Sequence, residues 1–488
     1  NIITLYPSDS SNAEINAQYG SFNSQQVSLQ GGGYVKQMSF IGALSVHDSE
    51  GDEFDNTVGE FGPDGTYQTD RHSWQAMMQL QGAGLNFQSI VNKVKQKTGN
   101  NLLTFPSENW EIQRQFFDLG YEHEFNNQWQ LNNNITFNGM ENTAGIIGGT
   151  GRFFTTQSKS YLTEMTLHGN LSQKSNIIIG GSYETQSGDN VSDGVLNTDI
   201  DVWNSSVYSQ LDYRFNPLHK FSLGFQSNKA KSQSSKVSPR VASIINFNKF
   251  TTLKMSYDEA FRSPFGLDLF LNASFLLGNP DLVPETINTY SAQLSYAHTH
   301  RLFSITLYKS HHEDLIVRTT GNDGLVTLTN QGYVDYLGVE WEYKVKLNSQ
   351  WQVNGNLSYQ ENENDQNEKD TTFQPNWMVK NGISYEDNGI NVATFLSYFG
   401  KPTQAIDLNA SVNEANPHST EYYLLTANVL FELGKIYKQT KLKNLELSLY
   451  GDNLLDEKIY YPEISRLQVN SIPAHSGIGF YAKLTYRF

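Results

Sequence analysis

The side chains best suited to chemistry are carboxylates crowded into one polar stretch, residues 47–72. Calcium takes about six to eight oxygen ligands, which clustered Asp and Glu side chains can supply. The spacing does not match the calcium loop of an EF-hand, so a solvated acidic loop is the simpler interpretation. If a cation binds, we expect it to order the loop through Asp52, Asp55, Glu60 and Asp64.

A second candidate is the pair His311 and His312, which is followed by Glu313. Neighbouring side chains of a strand point to opposite faces, so the two imidazoles would rarely bind one metal ion. A polar strand end is therefore the simpler interpretation of this pair.

Several aromatic side chains lie in polar stretches of the chain, where they could stack on a ligand. Each could equally pack within its own loop, and packing is the simpler interpretation for any one of them. The candidates are Phe54, Phe61, Tyr67, Trp110 and Phe153.

The elements that must position these side chains are strands. In residues 477–488, every second residue counted back from Phe488 is apolar or small. A period of two places these residues on one face of a strand and the intervening ones on the other. The same alternation recurs along the chain, and the 27 Tyr and 28 Phe fit two aromatic girdles. This pattern is typical of an outer-membrane β-barrel with an apolar outer face and a polar lumen.

Short turn-like connections alternate with long polar ones, as in an up-and-down barrel with short periplasmic turns and long extracellular loops. We predict one all-β barrel domain over residues 1–488, with about 22 antiparallel strands of about 9–14 residues. The last strand should pair with the first, near 14–19. Two connections are unusual: 20–24 is short for an outer loop, and 432–442 is long for a turn. A β-solenoid or several sandwiches would be the alternative folds. The predicted outer loops are 47–72, 97–110, 141–158, 187–203, 228–236, 261–286, 311–325, 361–375, 400–420 and 453–476.

No catalytic arrangement is visible in the sequence. It has no Gly-x-Ser-x-Gly elbow, and the glycine-rich stretch 148–151 lacks the strand and helix that flank a phosphate-binding loop. The absence of cysteine excludes thiolate metal sites, and the net charge of −16 argues against a nucleic-acid partner. We therefore predict no enzymatic activity and no cofactor other than the possible loop Ca²⁺. An enzyme with Ser, His and acid side chains at the barrel rim is a minor alternative.

Short motifs in a fixed order resemble those of a known family. The chain resembles the barrel domain of TonB-dependent outer-membrane receptors over essentially its whole length. The resemblance rests on Asn1-Ile2-Ile3-Thr4, Ile15 to Phe22, Phe261-Arg262-Ser263-Pro264, Gly278-Asn279-Pro280-Asp281-Leu282 with Pro284-Glu285, Gly338-Val339-Glu340, Asn453-Leu454-Leu455-Asp456 and Tyr486-Arg487-Phe488.

The resemblance implies uptake of a scarce ligand across the outer membrane, energised by the TonB protein. A ferric siderophore or another metal complex is the main expectation, and cobalamin is an alternative. The family's plug domain and TonB-binding segment have no counterpart here, so we expect that they were removed or are supplied separately. A barrel without a plug would instead be a passive diffusion channel.

The resemblance also implies roles for individual residues. Arg262 would sit at the lumen rim, where it could pair with a plug carboxylate or contact the ligand, although a structural role is favoured. Residues 265–277 lack the His that some haem receptors carry there. Their apolar side chains could contact an apolar or aromatic ligand, but packing back on the barrel is favoured. Phe488 should serve as an assembly signal. Leu484 should face lipid and Thr485 the lumen, and the barrel should be a monomer.

Overall fold

Twenty-two strands form one closed antiparallel sheet, as predicted. The computed structural model describes residues 13–56, 65–98, 107–146, 153–192, 195–231, 233–273, 276–320, 326–403, 416–462 and 470–488. The barrel strands are β1 (Ala13–Gly20), β2 (Ser24–Val35), β3 (Met38–Ser49), β4 (Arg71–Gly82), β5 (Leu85–Thr98), β6 (Ser107–Asn126), β7 (Trp129–Ile146), β8 (Phe153–Ser172), β9 (Ser175–Ser192), β10 (Val195–Arg214), β11 (His219–Ala230), β12 (Lys236–Asn246), β13 (Thr251–Arg262), β14 (Glu285–His298), β15 (Arg301–Glu313), β16 (Tyr333–Lys346), β17 (Trp351–Asn364), β18 (Trp377–Asp387), β19 (Ile390–Phe399), β20 (Tyr422–Glu432), β21 (Leu445–Asp452) and β22 (Gly479–Arg487).

The barrel closes between its last and first strands. β22 pairs antiparallel with β1, with Arg487 opposite Glu14 and Tyr481 opposite Gly20. At the periplasmic end of this seam, Arg487 forms ion pairs with Glu14 and with Glu446 of β21. The predicted pairing of the last strand with residues 14–19 is therefore confirmed.

The two faces of the last strand are those predicted from the sequence. Phe480 and Leu484 are 57% and 45% exposed on the outer surface. Thr485 faces the lumen, where only 4% of it is exposed and its hydroxyl donates to Asn16 Oδ1 over 2.5 Å. The alternation of side chains along each strand thus separates a lipid-facing surface from a polar lumen.

Two rows of aromatic side chains mark the membrane boundaries on the outer face. On β17 and β18, the rings of Tyr359 and Trp377 lie 4.6 Å apart near the outer end. The rings of Trp351 and Tyr385 lie 4.8 Å apart near the other end. The eight residue steps from Trp351 to Tyr359 span about 26 Å along the strand, or roughly 20 Å of height at a tilt of about 40°. This height fits the apolar band of about 25 Å in an outer-membrane barrel.

The long strands β6 to β10 extend well beyond the membrane on the outer side. They have 18 or 20 residues, whereas about 9–11 cross the bilayer. The prediction of a long loop at 187–203 is wrong, because β9 continues to Ser192 and β10 begins at Val195. A hairpin in water can be polar on both faces, so polarity alone did not distinguish its strands from a loop.

The connections at the opposite end are short and locally determined. Four of them use the same arrangement, in which an Asn side-chain oxygen accepts from the backbone N–H groups two and three residues later. These residues are Asn126, Asn216, Asn248 and Asn348. The connection after β20 is longer, as predicted. Among the described residues, no helix is long and apolar enough to cross a membrane.

Candidate functional site at the outer mouth

Two outer connections fold together into a small unit, which we call the mouth module: the described parts of 263–284 and 314–332. It contains helix α1 (Gly266–Phe270) and a four-stranded sheet. The order of the strands in this sheet is Asn272–Ala273, Leu276–Leu277, Val326–Asn330 and Ile316–Thr320.

The mouth module has its own apolar core. Leu269, Leu282 and Leu328 are buried, and Phe270 and Ile316 pack against them. The apolar residues that would be unusual in a solvated loop therefore cover one another. Of the apolar stretch 265–277, Leu269 and Phe270 pack within the module rather than on the barrel, whereas Phe265 and Leu267 are exposed.

The module leans into the barrel. Gly266 lies so close to Ile200, on the lumen face of β10, that an added Cβ would be 2.7 Å from Ile200 Cγ2. Any larger residue at Gly266 would push α1 away from the wall. The module therefore overhangs the lumen at this side of the mouth.

Asn side chains hold the turns of the module together. Asn279 Nδ2 donates to the Leu328 carbonyl over 2.9 Å. Asn330 Nδ2 donates to the carbonyls of Val283 and Asp314, over 2.9 and 2.7 Å. Its Oδ1 accepts from the Val283 N–H over 2.8 Å. These bonds join segments that are far apart in sequence into one rigid unit.

An ion pair joins the module to the barrel wall. Arg262 and Glu285 are opposite each other at the outer ends of β13 and β14. Arg262 Nε lies 2.6 Å from Glu285 Oε2, and its Nη2 lies 2.7 Å from Oε1. Only 5% of Glu285 is exposed, and its Oε1 also accepts from the Ile316 N–H over 2.7 Å. Arg262 Nη1 lies 3.8 Å from Asp268 Oδ2 in α1.

This pair lies outside the membrane, because Glu285 is five residues beyond Tyr290, the outer aromatic on β14. Hydrogen bonds to Glu285 raise the pKa of Arg262. Burial raises the pKa of Glu285, but hydrogen bonds from Arg262 and Ile316 outweigh burial and hold the pKa below its usual value. Both groups are therefore charged at neutral pH. The structure places Arg262 at the rim, as predicted, with a partner from its own barrel.

The adjacent histidines point to opposite faces, as predicted. His311 Nδ1 lies 2.8 Å from Asp335 Oδ1 on the outer face. His312 Nε2 lies 3.4 Å from Glu285 Oε2 on the lumen side. The two imidazoles therefore belong to different polar clusters.

The acidic loop begins as a hairpin of Glu53–Asn56 with Gly65–Gln68. Both carboxylate oxygens of Asp52 have donors: Oδ1 accepts from the Glu53 N–H and Oδ2 from the Gly477 N–H, each over 2.8 Å. Asp52 thus ties this loop to the last outer loop. Glu60 and Asp64 lie outside the described residues, as does the side chain of Asp55. In the described part of the chain, no group of three His, Asp or Glu could hold a metal ion, and calcium binding stays a prediction.

The structure describes one of the five candidate aromatic side chains. Trp110 is partly buried on the lumen face of β6, and its indole N–H donates to Asn142 Oδ1. Phe54 and Tyr67 are opposite each other in the hairpin, and Phe153 begins β8 opposite Gly145. Phe61 lies outside the described residues, as do the side chains of these other three. The structure does not bring Trp110 and Arg262 together, since they lie on β6 and β13.

Sequence reasoning missed a recess of about 490 Å³ in the lumen wall near the seam. Its lining includes Tyr450, Tyr481, Asp452 and Lys483, together with Gln18 of β1. The period of two places each of these residues on the lumen face. Only the register across the seam brings Gln18 beside Lys483, and no local signal gives that register.

Comparison with known proteins identifies the family. A family model described as TonB dependent receptor-like, beta-barrel matches residues 9–454. The chain belongs to the TonB-dependent receptors. It is therefore an outer-membrane protein of a family of transport receptors rather than enzymes, and the resemblance seen in the motifs is confirmed.

Solved TonB-dependent receptors share the fold at low sequence identity. The copper transporter OprC matches with a TM-score of 0.80 and 12% identity, covering 98% of this chain and 80% of its own. The ferric enterobactin receptor PfeA of Pseudomonas aeruginosa gives 0.78 and 13%, covering 100% and 83%. The iron transporter FrpB of Neisseria meningitidis gives 0.78 and 13%, covering 99% and 82%. A search of curated proteins gave no match.

Proposed function

We propose that this TonB-dependent receptor barrel takes up a metal chelate, namely a ferric siderophore, with energy supplied through TonB. The observation that carries the proposal is the mouth module, a preformed unit that overhangs the lumen of a family transport barrel. A preformed loop unit can present a binding surface with little loss of conformational entropy on binding. The similar solved structures support the ligand class, since they are an iron transporter, a copper transporter and a ferric enterobactin receptor.

Trp110 is the candidate contact with the best structural support. It faces the lumen at the outer end of β6, where a ligand below the mouth would meet it. A planar chelator ring could stack on the indole, whose N–H is already bonded to Asn142. Phe54, Phe61, Tyr67, Phe153 and the exposed edge of Arg262 are proposed as further contacts.

Uptake of radioactive iron by cells that express the full native gene for this chain tests the proposal. The host should lack its own ferric siderophore receptors, and a panel of iron-loaded siderophores should be supplied one at a time. We expect saturable uptake of one or a few chelates, which disappears in a host without TonB. Iron uptake that persists without TonB would instead indicate a passive channel. In a parallel assay with labelled cobalamin, uptake of cobalamin without uptake of iron would replace the ligand class.

Substitution of Trp110 tests the proposed contact. Trp110→Ala should weaken chelate binding by about tenfold, which is the usual loss for a central aromatic contact. Trp74→Ala is the matched control, because Trp74 is a partly exposed tryptophan on the lipid face of β4. Equal losses in both variants would contradict a contact between Trp110 and the ligand.

A further inference from the structure

The connection between β20 and β21 is an ordered basic segment at the periplasmic end of the barrel. It consists of helix α2 (Leu433–Tyr437) and a 3₁₀ turn (Thr440–Leu442). It carries four exposed lysines and no Asp or Glu. These lysines are Lys435, Lys438, Lys441 and Lys443.

The segment folds back on itself, so its lysines share one small surface. Lys438 ends α2 in the left-handed conformation, with φ at 51°, and reverses the chain direction. Gly434 then lies against the backbone of Lys443, where an added Cβ would be 2.3 Å from Lys443 Cα. Lys435 Nζ lies 2.7 Å from Glu432 Oε2, so its charge is partly compensated. The other three lysines contribute most of the positive potential.

Three of the other nine periplasmic connections also carry a lysine, namely Lys36, Lys174 and Lys249. The ten connections at this end all lie within the described residues, and they contain seven lysines but no Asp or Glu. The complete chain has 50 acidic and 34 basic residues, so this rim departs from the composition of the rest. Glu386, Asp387 and Glu432 lie at neighbouring strand ends, so the positive charge is concentrated in the connection between β20 and β21, where it would attract an anionic surface or partner.

Exposed apolar side chains lie in four of the periplasmic connections, and one of them, Tyr437, lies in the lysine segment itself. They are about half exposed or more, and they extend beyond the inner row of girdle aromatics. They are Phe215, Leu218, Phe247, Leu347 and Tyr437. Aromatic and apolar side chains mixed with lysine are typical of protein surfaces at the level of lipid headgroups. This mixture favours a lipid surface over an acidic protein as the partner.

We propose that residues 435–443 bind the anionic headgroups of phospholipids in the periplasmic leaflet of the outer membrane. The lysine ammonium groups would contact the phosphate diesters, and Tyr437 would insert beside them at the interface. The site would hold a small ring of anionic lipid next to β20 and β21. This inference is independent of the ligand that the receptor transports.

Native mass spectrometry tests the proposal on the whole protein, released from vesicles of equal parts phosphatidylglycerol and phosphatidylcholine. We expect phosphatidylglycerol to be retained about tenfold over phosphatidylcholine, and less at high salt because the attraction is electrostatic. The triple variant Lys438→Gln, Lys441→Gln, Lys443→Gln should lose this preference and should still fold, since these side chains are exposed. The Lys→Arg version should keep it.

The matched control removes three exposed lysines at the outer end: Lys159→Gln, Lys309→Gln, Lys369→Gln. It should retain phosphatidylglycerol as the unchanged protein does. An undiminished preference in the Lys438 triple variant, or an equal loss in the control, would overturn the proposal. So would complete displacement of the lipid by inorganic phosphate, which would indicate a simple anion site. Cross-linking of the segment in cells to an acidic protein, with no lipid preference, would assign the surface to that partner.

Discussion

The outer mouth and the periplasmic rim are built on the same 22 strands, but different contacts fix their conformations. At the rim, Asn216 and Asn348 bond to backbone groups two and three residues away. At the mouth, Arg262 bonds to a residue 23 positions away, and Asp52 accepts from one 425 positions away. The rim is therefore locally determined, whereas the mouth depends on the completed barrel.

This difference has a functional consequence. A locally fixed rim can be rigid, and most of its connections are short, which suits an end whose main task is to connect strands. A mouth fixed by side-chain contacts between distant loops can vary from receptor to receptor without a change in the wall, since loops carry the variable functions of a fold. The four predictions below test the comparison, from the largest expected effect to the smallest.

The largest loss of stability should come from placing a charged side chain on the lipid-facing side of the barrel wall, which joins both ends. Leu357 faces lipid on β17, two residues from Gly355, the midpoint between the girdle aromatics Trp351 and Tyr359. Leu357→Lys should lower the free energy of unfolding by about 2–4 kcal/mol, because it places a charge near the bilayer midplane. Urea unfolding in phosphatidylcholine vesicles measures this value.

The neighbouring residue provides the control for that change. Ser358 faces the lumen, opposite Glu340 of β16. Ser358→Lys should cost less than about 1 kcal/mol, since the new ammonium group would lie in a polar lumen beside a carboxylate. Equal costs at both positions would mean that the two faces are wrongly assigned.

Loss of the ion pair at the mouth should have the next largest effect. Arg262→Met leaves the buried Glu285 without its partner and should destabilise the mouth module by about 2 kcal/mol. This cost is below the usual value of about 3–5 kcal/mol for a buried pair, because 41% of the Arg262 side chain is exposed. Faster hydrogen–deuterium exchange in residues 263–273 and 276–284 would report the change.

The wall offers a matched arginine for comparison. Arg240 Nε lies 2.7 Å from Asp258 Oδ1, with both side chains at least one-third exposed. Arg240→Met should change the free energy of local opening, measured by hydrogen–deuterium exchange, by less than about 1 kcal/mol, as is usual for exposed pairs. If Arg240→Met loosens the module as much as Arg262→Met, the Glu285 pair is not what holds it.

Two asparagines with the same backbone conformation compare the two ends directly. Asn453 at the outer end and Asn388 in a periplasmic turn both have φ at 45°. Asn453 is fully buried, and its side chain bonds to the backbone of Glu457 and Ser476. Asn453→Ala should cost about 1–3 kcal/mol, because it leaves those buried groups unpaired. Urea unfolding in vesicles measures the cost.

Asn388 is exposed in its turn, and its amide bonds to the neighbouring Asp387. Asn388→Ala should therefore cost only about 1 kcal/mol, from the left-handed backbone alone. A larger loss at Asn388 than at Asn453 would reverse the comparison between the ends.

Phe488 should affect assembly more than stability. Its ring is 67% exposed and makes an edge contact with Tyr486. Phe488→Ala should change the free energy of unfolding by less than about 1 kcal/mol, while slowing insertion into the outer membrane of living cells. Two measurements separate these effects. The first is the rate at which pulse-labelled protein inserts into the outer membrane, and the second is the free energy of unfolding of the purified protein. Normal insertion would contradict the predicted assembly signal.

The sequence predicted the wall and the rim well. Alternation in 477–488 gave the faces of β22, and turn residues such as Asn248 gave the short connections. Both signals act over a few residues, so a single chain displays them. The outer ends of the strands were poorly predicted, because polar hairpins in water lack the apolar alternation of a membrane strand.

The mouth was only partly predictable. Arg262 could be placed at the rim from its motif, but its partner Glu285 was not foreseen, because the pairing depends on the register of β13 and β14. The apolar residues near Leu269 were expected to pack, but their contact with Leu328 joins two different loops. Such pairings between distant segments cannot be predicted from the sequence of a single chain.

The seam between β1 and β22 also dictates the order in which the barrel can fold. Every other neighbour in the wall is also a neighbour in sequence, so hairpins can form one after another. The seam joins residues as far apart as Glu14 and Arg487, 473 positions along the chain. Closure of so large a loop carries the greatest entropic cost and must follow synthesis of the last strand. The barrel edge at β1 therefore stays unpaired until the final nine-residue strand is in place, and an unpaired edge is a site of aggregation.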